Sequence, residues 1–371
     1  AEIHFLVRGV TVDFLKPEGA IKNGYLLRYP AKPIVWCAGF RWILKNPIRS
    51  LTDRIQIIKP KAGIQMMQTA SAAAKKRRIP RKVRQWIIGY SFILPNFIGF
   101  FFLVLLPSVC AIFMSFCNWT GAGFQEFVGL DNYAAMFKNE TFRISFRNSI
   151  FYALTTIPFT LVFSLLIACL LNRPIKGVGL FRAIYFWPYV TAVVALAAVW
   201  NMIFNPNMGI INSTLAAIGI PQDLIPRWTA STTWSLPTII LAQIWKGTGY
   251  YMVIFLAGLQ GIPRELYEAA KVDGANGRQS FFNITIPMLS PTIFFVLIML
   301  TIGAFQVYEI VAVMTDGGPG RSSYVLAMHI YNSAFVDNKF GYASAVSMVL
   351  FAIVAVITFI QFRGEKKWVN Y

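Results

Sequence analysis

Long apolar runs separated by polar segments follow one another from residue 86 onward. The runs cover about 86–116, 149–171, 181–204, 234–259, 289–314 and 343–362. Each is long enough to cross a hydrocarbon core as a helix, which takes about 20 residues. They lack the apolar–polar alternation of the strands in a membrane β-barrel. The pattern predicts an all-α, polytopic membrane domain with six transmembrane helices over residues 86–363.

The composition supports a membrane protein. Apolar residues make up 56% of the 371 residues and charged residues only 13%, whereas a soluble domain carries about 25% charged residues. The net charge of +19 could suggest a nucleic-acid partner, but residues 1–85 alone hold 18 Lys/Arg against 4 Asp/Glu. The remaining excess lies mostly beside helix ends, as the positive-inside rule expects. We therefore expect lipid, and no nucleic acid, around this chain.

The first 65 residues differ from the rest. They contain no apolar run of spanning length and no signal-peptide order, and Met66-Met67 open the Ala/Ser/Lys/Arg segment that leads into the first run. We interpret residues 1–65 as an upstream extension, with the native start at Met66 or Met67. A small cytoplasmic domain is the alternative, and N-terminal sequencing of the natively expressed protein would decide between them. Residues 66–85 then form a basic cytoplasmic segment and residues 364–371 a cytoplasmic tail.

Short basic segments predict the orientation of the helices. Lys/Arg cluster at residues 75–84, 173–182, 264–278 and 363–367. The loops 117–148, 205–233 and 315–342 are longer and poorer in Lys/Arg, and contain turn-forming Asn205-Pro206 and Gly317-Gly318-Pro319. Because Lys and Arg favour the cytoplasmic side, both termini and the segment 261–287 are predicted to be cytoplasmic.

The segment 261–287 is built like a docking element. Pro263 suits the start of a short helix, and Gly274 stands where a left-handed C-terminal cap would lie. A second short helix is predicted over residues 278–285, before Pro287 leads into the fifth span. Small residues at Ala269 and Ala270 permit close approach of a partner backbone.

One spaced set in this segment resembles a known family. It reads Glu268-Ala269-Ala270-x3-Gly274-x9-Ile284-x-Ile286-Pro287. It resembles the cytoplasmic coupling loop of ABC importer permeases, in particular the carbohydrate-uptake branch that includes the maltose permeases. Further similar stretches are Gly129-Leu130-Asp131-Asn132-Tyr133, Met136-Phe137, Asn148-Ser149, Asn205-Pro206-x2-Gly209-x2-Asn212, Thr315-Asp316-Gly317-Gly318-Pro319 and Ile330-Tyr331-x3-Phe335. The resemblance extends from about Trp86 to the C-terminus.

The resemblance implies the type I ABC importer permease fold and a location in the bacterial or archaeal cytoplasmic (inner) membrane. A cytoplasmic ABC ATPase dimer would receive the coupling helix through Glu268, Ala269, Ala270, Asp273, Gly274 and Pro287. A second homologous permease and an extracytoplasmic solute-binding protein would complete the transporter. The chain shows no Gly-x4-Gly-Lys-[Ser/Thr] phosphate loop. We therefore expect it to be no enzyme and to bind no cofactor, with ATP used by the partner ATPase.

Polar residues inside the fourth and fifth runs are candidates for a solute path, because polar groups in a membrane are costly. The candidates are Gln243, Lys246, Tyr250, Gln306 and Glu309. The first three share a helix face with Gly247, and Gln306 is predicted to share one with Gly303, Val307 and Ile310. Alternatively, Lys246 and Glu309 pair between helices and the glutamines join helices. The neighbouring aromatic residues Trp245, Phe305 and Tyr308 are more often packing or interface residues than ligands.

Two other classes of protein remain as alternatives. An ion-gradient-driven secondary transporter of small solutes would show an inverted repeat, and no second copy of the Glu268 segment is found. A membrane enzyme would need a catalytic constellation, and His4 and His329 have no metal-ligand partner spacing. The expected solute is an oligosaccharide or related carbohydrate; Lys246 keeps an acidic or phosphorylated solute open.

Overall fold

The computed structural model describes residues 80–174 and 176–369. The predictions for residues 1–65, and for all but the end of the basic segment 66–85, lie outside these described residues. Helix α1 (Arg81–Phe100), a π-helical turn (Phe101–Leu105) and helix α2 (Leu106–Ser115) follow one another without a gap. They make up one apolar candidate span, Lys82–Ser115.

The rest of the described chain is mainly helical. The hairpin strands β1 (Cys117–Thr120) and β2 (Gly123–Phe127) are followed by α3 (Asp131–Lys138), α4 (Glu140–Leu171), α5 (Val178–Val190), α6 (Val193–Ile203), α7 (Ile210–Ala217) and α8 (Ser235–Gln260). Then come α9 (Arg264–Val272), α10 (Gly277–Ser280), a π turn (Phe281–Thr285), α11 (Ile286–Phe305), α12 (Glu309–Thr315), α13 (Leu326–Tyr331), a π turn (Asn332–Val336) and α14 (Phe340–Trp368). Short 3-10 turns cover Gln222–Leu224 and Trp228–Ala230.

The number of spans agrees with the sequence prediction. In the described part of the chain, 5 helices are long and apolar enough to cross a membrane, and the pair α5 and α6 makes up to 6. The pair is bent by 98°, so the third span is not the single helix predicted over 181–204. Pro188 lies in the last turn of α5, and Thr191 and Ala192 are extended, with ψ of 139° and 131°. Proline removes a helical hydrogen bond and weakens this turn, and the non-helical backbone of Thr191 and Ala192 then ends α5.

The fifth span also differs from its prediction, which was wrong in extending the helix to Met314. Helix α11 ends at Phe305, and Tyr308 has φ −138° and ψ −58°, outside helical values. Helix α12 then starts at Glu309. Apolar composition alone cannot reveal this break, because residues on both sides of it are apolar.

Helices α4 and α14 are longer than the apolar runs within them. At 32 residues, α4 measures about 48 Å at 1.5 Å per residue, whereas the hydrocarbon core measures about 30 Å. Its polar first turns, with Asn139 as N-cap, therefore project beyond the membrane.

The hairpin was not predicted from the sequence. Its strands of 4 and 5 residues are too short to show the apolar–polar alternation of a β-strand.

The core follows the contact between α4 and α8. One buried cluster surrounds Tyr152, Ile239 and Val311. A second surrounds Met252, Phe255 and Leu289 and also takes in Leu171 and Ile262, next to the polar segment 261–287. The helix pair thus joins one end of the domain to the other.

Candidate functional site

The segment 261–287, called the coupling segment below, forms the short helix that the sequence predicts. Pro263 is the N-cap of α9, with φ −58° and ψ 133°, one position earlier than expected. Gly274 has φ +78°, the left-handed conformation predicted for the cap. Its N–H donates to the Lys271 carbonyl at 3.2 Å, and the Ala275 N–H donates to the Ala270 carbonyl at 2.8 Å. This is the Schellman arrangement, in which two terminal carbonyls find partners.

The second half of the coupling segment is joined directly to the fifth span. Asn276 and Gln279 form a capping box, with reciprocal hydrogen bonds of 2.9 Å and 2.8 Å. From Gly277 the helix continues to Phe305 as a single candidate span. Pro287 does not break it, because a π turn precedes α11 and Pro287 occupies its first turn.

Tyr267 attaches α9 to this helix. Its hydroxyl forms a hydrogen bond of 2.9 Å with the hydroxyl of Thr285, and its ring packs against the buried cluster around Phe255. Ile262, at the start of the segment, is buried in the same cluster. The inner face of α9 is therefore held against the transmembrane core.

The outer face of α9 carries the predicted docking residues. Glu268, Ala269, Asp273 and Gly274 are exposed, while Ala270 and Pro287 are half-buried. Val272 is 88% exposed and Phe282 57% exposed. Sequence reasoning missed both as docking candidates, although an apolar residue on a polar helix was a signal. Exposed apolar side chains surrounded by polar ones are typical of interaction surfaces.

A second candidate site lies where the breaks of the third and fifth spans approach α8; we call it the break site. Helix α5 packs on α8, and α12 packs on both α6 and α8. Discontinuous helices mark solute sites in many transporters, because their free ends offer backbone groups to a ligand. Non-helical backbone at membrane depth is tolerated where it is buried in protein or lines a water-filled cavity. The break site, with non-helical backbone at residues 191–192 and 306–308, is therefore a candidate for a solute path.

The side chains of the break site combine aromatic rings with a cation. The rings of Tyr189 and Tyr250 stack with centroids 4.3 Å apart, and Tyr251 lies 5.1 Å from Tyr250. The Lys246 Nζ is 5.8 Å from the centroid of the Tyr189 ring. A cation over an aromatic face is attracted by the quadrupole of the ring, so the Tyr189 ring helps to hold the Lys246 side chain in this position.

The structure brings together some of the predicted path residues and not others. Lys246 and Tyr250 meet through Tyr189, and Glu309 lies within electrostatic range of Lys246. Gln306 is exposed at the end of α11, so the face predicted for it with Val307 and Ile310 does not exist. Among the described residues, no hydrogen bond or ring contact joins Gln243 or Gln306 to this group.

Sequence reasoning missed Tyr189, the α5 residue whose ring contacts Tyr250 and Lys246 of α8. The available signal was the pair Pro188-Tyr189 inside an apolar run, since proline in a span frees backbone groups that need partners. Trp245 contacts Trp200 edge-on at 5.4 Å, and the Tyr308 ring lies 4.8 Å from Tyr331. Both contacts agree with the packing roles considered for these aromatic residues.

Glycine permits the close approach of α5 to α8. A Cβ atom placed on Gly249 would overlap the carbonyl oxygen of Tyr185 and lie 3.1 Å from the Cα of Phe186. Only a residue without a side chain fits here, and the backbone contact places Tyr189 one turn further along α5, against Tyr250.

Comparison with known proteins supplies independent information on this fold. Residues 127–368 match the family described as "Binding-protein-dependent transport system inner membrane component". The chain is 38% identical over 310 residues to the probable ABC transporter permease protein YesP of Bacillus subtilis (strain 168), covering 82% of this chain and 98% of that protein. It is 35% identical over 306 residues to the lactose transport system permease protein LacF of Rhizobium radiobacter, covering 81% and 99%.

A solved structure has the same fold. It is the bacterial alginate ABC transporter in complex with an alginate pentasaccharide-bound periplasmic protein, with a TM-score of 0.69 and 22% identity. The match covers 78% of this chain and 98% of the chain in that structure.

Proposed function

The chain belongs to the family of binding-protein-dependent transport system inner membrane components, and we propose that it is the membrane-spanning permease subunit of an ATP-driven carbohydrate importer. A solute-binding protein delivers the carbohydrate from outside. The ATPase dimer and a second, homologous permease are separate chains. Binding-protein dependence of the family supports this assembly, as does a chain without a phosphate-loop motif.

One observation carries the proposal: the exposed helix α9 is attached to a single long helix that ends at the break site. The hydrogen bond between Tyr267 and Thr285 joins α9 to the span Gly277–Phe305. At 29 residues, this span measures about 44 Å at 1.5 Å per residue. A displacement of α9 by a partner is therefore transmitted to residues 306–308 and to Glu309.

The exposed outer face of α9 suits a partner that offers an apolar groove and a basic or amide group. Val272 offers an apolar side chain for the groove, and Glu268 offers a carboxylate that accepts charge-assisted hydrogen bonds. In the proposed transporter the partner is the ATPase, and its ATP-driven closure moves α9. Asp273 and Gly274 end the helix, and Ala269 leaves room for the partner backbone.

The break site is the proposed contact for the solute. Tyr189 and Tyr250 present ring faces that can receive the C–H face of a sugar, and Lys246 and Glu309 can bind hydroxyl groups. The similarity to a lactose permease and to an alginate transporter supports a carbohydrate. Gln243 and Gln306 remain candidates for contacts that form only when the helices move.

The substitution Glu268→Lys tests the coupling half of the proposal. We expect ATP-dependent uptake of radiolabelled sugar into vesicles to fall at least about tenfold, because the lysine would face the basic or amide group that Glu268 is proposed to bind on the partner, and the charge-assisted hydrogen bond is lost. ATPase docking is measured by co-purification. Glu126→Lys, an equal charge change on the exposed strand β2, should leave uptake unchanged.

Two results would contradict this assignment. Uptake by the Glu268→Lys variant at the wild-type rate would remove the role of the coupling segment. Uptake that follows an imposed ion gradient and continues without ATP would instead support a secondary transporter.

A further inference from the structure

A polar cavity lies at the end of the domain opposite the coupling segment. It has a volume of about 630 Å³, within the roughly 300–1,000 Å³ of small-ligand pockets. Its walls are strand β1, the α3–α4 junction, and the chain between α12 and α14. Helix α4 starts beside it and ends at Leu171, which packs in one cluster with Ile262. The cavity and α9 are thus separated by the length of α4.

The lining of the cavity combines three kinds of side chain. Aromatic rings come from Trp119, Tyr324 and Tyr342; amides from Asn118, Asn132, Asn139 and Asn332; charges from Arg321, Asp337 and Lys339. Burial lowers the pKa of His329, which also lines the cavity, to about 4, with smaller influences from Asp337 and Arg321. The ring is therefore neutral near pH 7, and the lining carries one excess positive charge.

The polar groups of the lining are held in place before any ligand arrives. The Asn332 Nδ2 donates to the Tyr324 hydroxyl at 2.9 Å, and the His329 Nε2 and the Tyr342 hydroxyl are 3.1 Å apart. Asn132 Nδ2 donates to the backbone carbonyls of Ser115 and Cys117 at 3.0 Å and 2.9 Å. Binding to such an ordered site loses little side-chain freedom.

Two residues at the cavity have an unusual backbone. Arg321 has φ +67° and Asn338 has φ +56°. For asparagine this conformation is common, whereas for a bulky side chain it is an outlier. Asn338 secures the rim, since its carbonyl accepts from the Gly121 N–H at 3.1 Å. Glycine would suit the backbone at position 321 better than arginine, so the guanidinium in the cavity wall points to a function.

We propose that this cavity binds a sugar unit of the carbohydrate at the entrance of the permease, before the unit reaches the break site. The proposal rests on the carbohydrate importer function proposed above. Trp119 offers a ring face for sugar C–H groups, the amides bind hydroxyls, and Arg321 with Lys339 binds hydroxyl or carboxylate oxygens. A docking surface for a protein is the other reading. A protein interface usually covers about 800 Å² on each partner, whereas this is a small concave site with converging polar groups.

The test uses the intact transporter in lipid nanodiscs without its solute-binding protein. Maltotriose, which is neutral, and trigalacturonic acid, which is acidic, are titrated while binding is followed by saturation-transfer NMR. We expect saturable binding of at least one trisaccharide to the wild type. In Arg321→Gly this binding should weaken at least about tenfold, since a charge-assisted hydrogen bond is lost. Its unfolding temperature should stay the same or rise, because glycine adopts the left-handed backbone without strain.

Arg143→Ala is the matched control. Arg143 is exposed in the first turns of α4, outside the cavity lining, so its loss removes an equal charge at the same end and should leave trisaccharide binding unchanged. The proposal is overturned if neither trisaccharide saturates the wild type, or if Arg321→Gly binds as tightly as the wild type. The solute-binding protein is then added back; the proposal is also overturned if Arg321→Gly fails to bind that protein but still binds the trisaccharide, which would show a protein docking surface.

ATP-dependent uptake measured on the same preparation separates this proposal from the function on which it rests. Import by a wild-type transporter whose cavity binds no trisaccharide would remove the cavity proposal alone. A complete transporter that imports no carbohydrate would remove the proposed function itself.

Discussion

At the scale of single residues, the arrangement of the break site depends on Gly249. Helix α5 approaches α8 so closely there that the Tyr185 carbonyl occupies the place of a side chain. This contact brings the Tyr189 ring against both Tyr250 and Lys246. Gly249, which has no functional group, thus positions the three candidate solute contacts Tyr189, Tyr250 and Lys246.

Gly249→Ala should therefore destabilise the domain. The added Cβ meets backbone atoms of α5, which cannot rotate away, and overpacking of this kind costs about 1–3 kcal/mol. We expect a lower unfolding temperature of the purified protein in detergent. Gly303→Ala is the control, since nothing lies within 4 Å of its Cβ position. Equal unfolding temperatures for the two variants would contradict the close helix contact.

Tyr189→Ala tests the aromatic part of the break site. Loss of the stacked ring removes a face for the solute and the partner of Lys246, so we expect carbohydrate uptake to fall about tenfold while the transporter still assembles. Tyr189→Phe retains the ring and should keep most uptake. If uptake is normal in Tyr189→Ala, and in alanine variants of Gln243, Lys246, Tyr250, Gln306 and Glu309, the break site is not the solute path.

At the scale of elements, prolines in the long spans are accommodated rather than excluded. A π turn precedes the helix that carries Pro107 in its first turn, and another precedes the one that carries Pro287. Proline supplies no N–H in either place, and its ring is tolerated because it lies in the first turn after the π turn. This is why the coupling segment continues into the fifth span as one helix, which a sequence pattern with proline does not suggest.

The end of α9 gives a prediction for this element. Gly274→Ala forces a side chain into a left-handed backbone, which costs about 1–2 kcal/mol, and should loosen the Schellman cap. We expect reduced co-purification of the ATPase and weaker coupling of ATP hydrolysis to uptake. Gly277→Ala is the matched control, because Gly277 lies in helix α10 with open space at its Cβ position. Wild-type coupling in Gly274→Ala would show that the cap has no part in docking.

At the scale of the whole molecule, the described domain has a candidate site at each end and a third between them. The coupling segment lies at one end, the polar cavity at the other, and the break site about half-way along α8. Helices α4, α8 and α11 connect these places through the two core clusters. The arrangement can relate an event at α9 to the accessibility of the break site.

The orientation of this arrangement in the membrane can be tested by cysteine labelling. In a variant without native cysteines, Val272→Cys on α9 should react with a membrane-impermeant maleimide only in inside-out vesicles. Phe124→Cys, at an exposed position of the hairpin, should react only in spheroplasts, in which the outer surface of the membrane is accessible. Labelling of both positions from the same side would contradict the orientation predicted from the basic segments.

Much of this protein could be predicted from its sequence by local rules. The apolar runs gave the number of spans, because transfer into lipid depends on the composition of a segment. Pro263 and Gly274 marked the ends of the coupling helix α9, because caps are decided by nearby residues. The short helix that carries Glu268 could be predicted because its ends depend on residues within the same segment.

The tertiary structure alone decided where the third and fifth spans break and which polar residues meet. In the structure Tyr189 belongs to the break site, and Gln306 does not lie on the helix face predicted for it. Both differences arise because helix ends inside a membrane depend on contacts with neighbouring helices, which hydropathy does not record. The polar cavity, assembled from segments about 200 residues apart in the chain, is equally invisible to a linear pattern. Local composition therefore determined the spans and the coupling helix, whereas packing between distant segments created the two candidate solute sites.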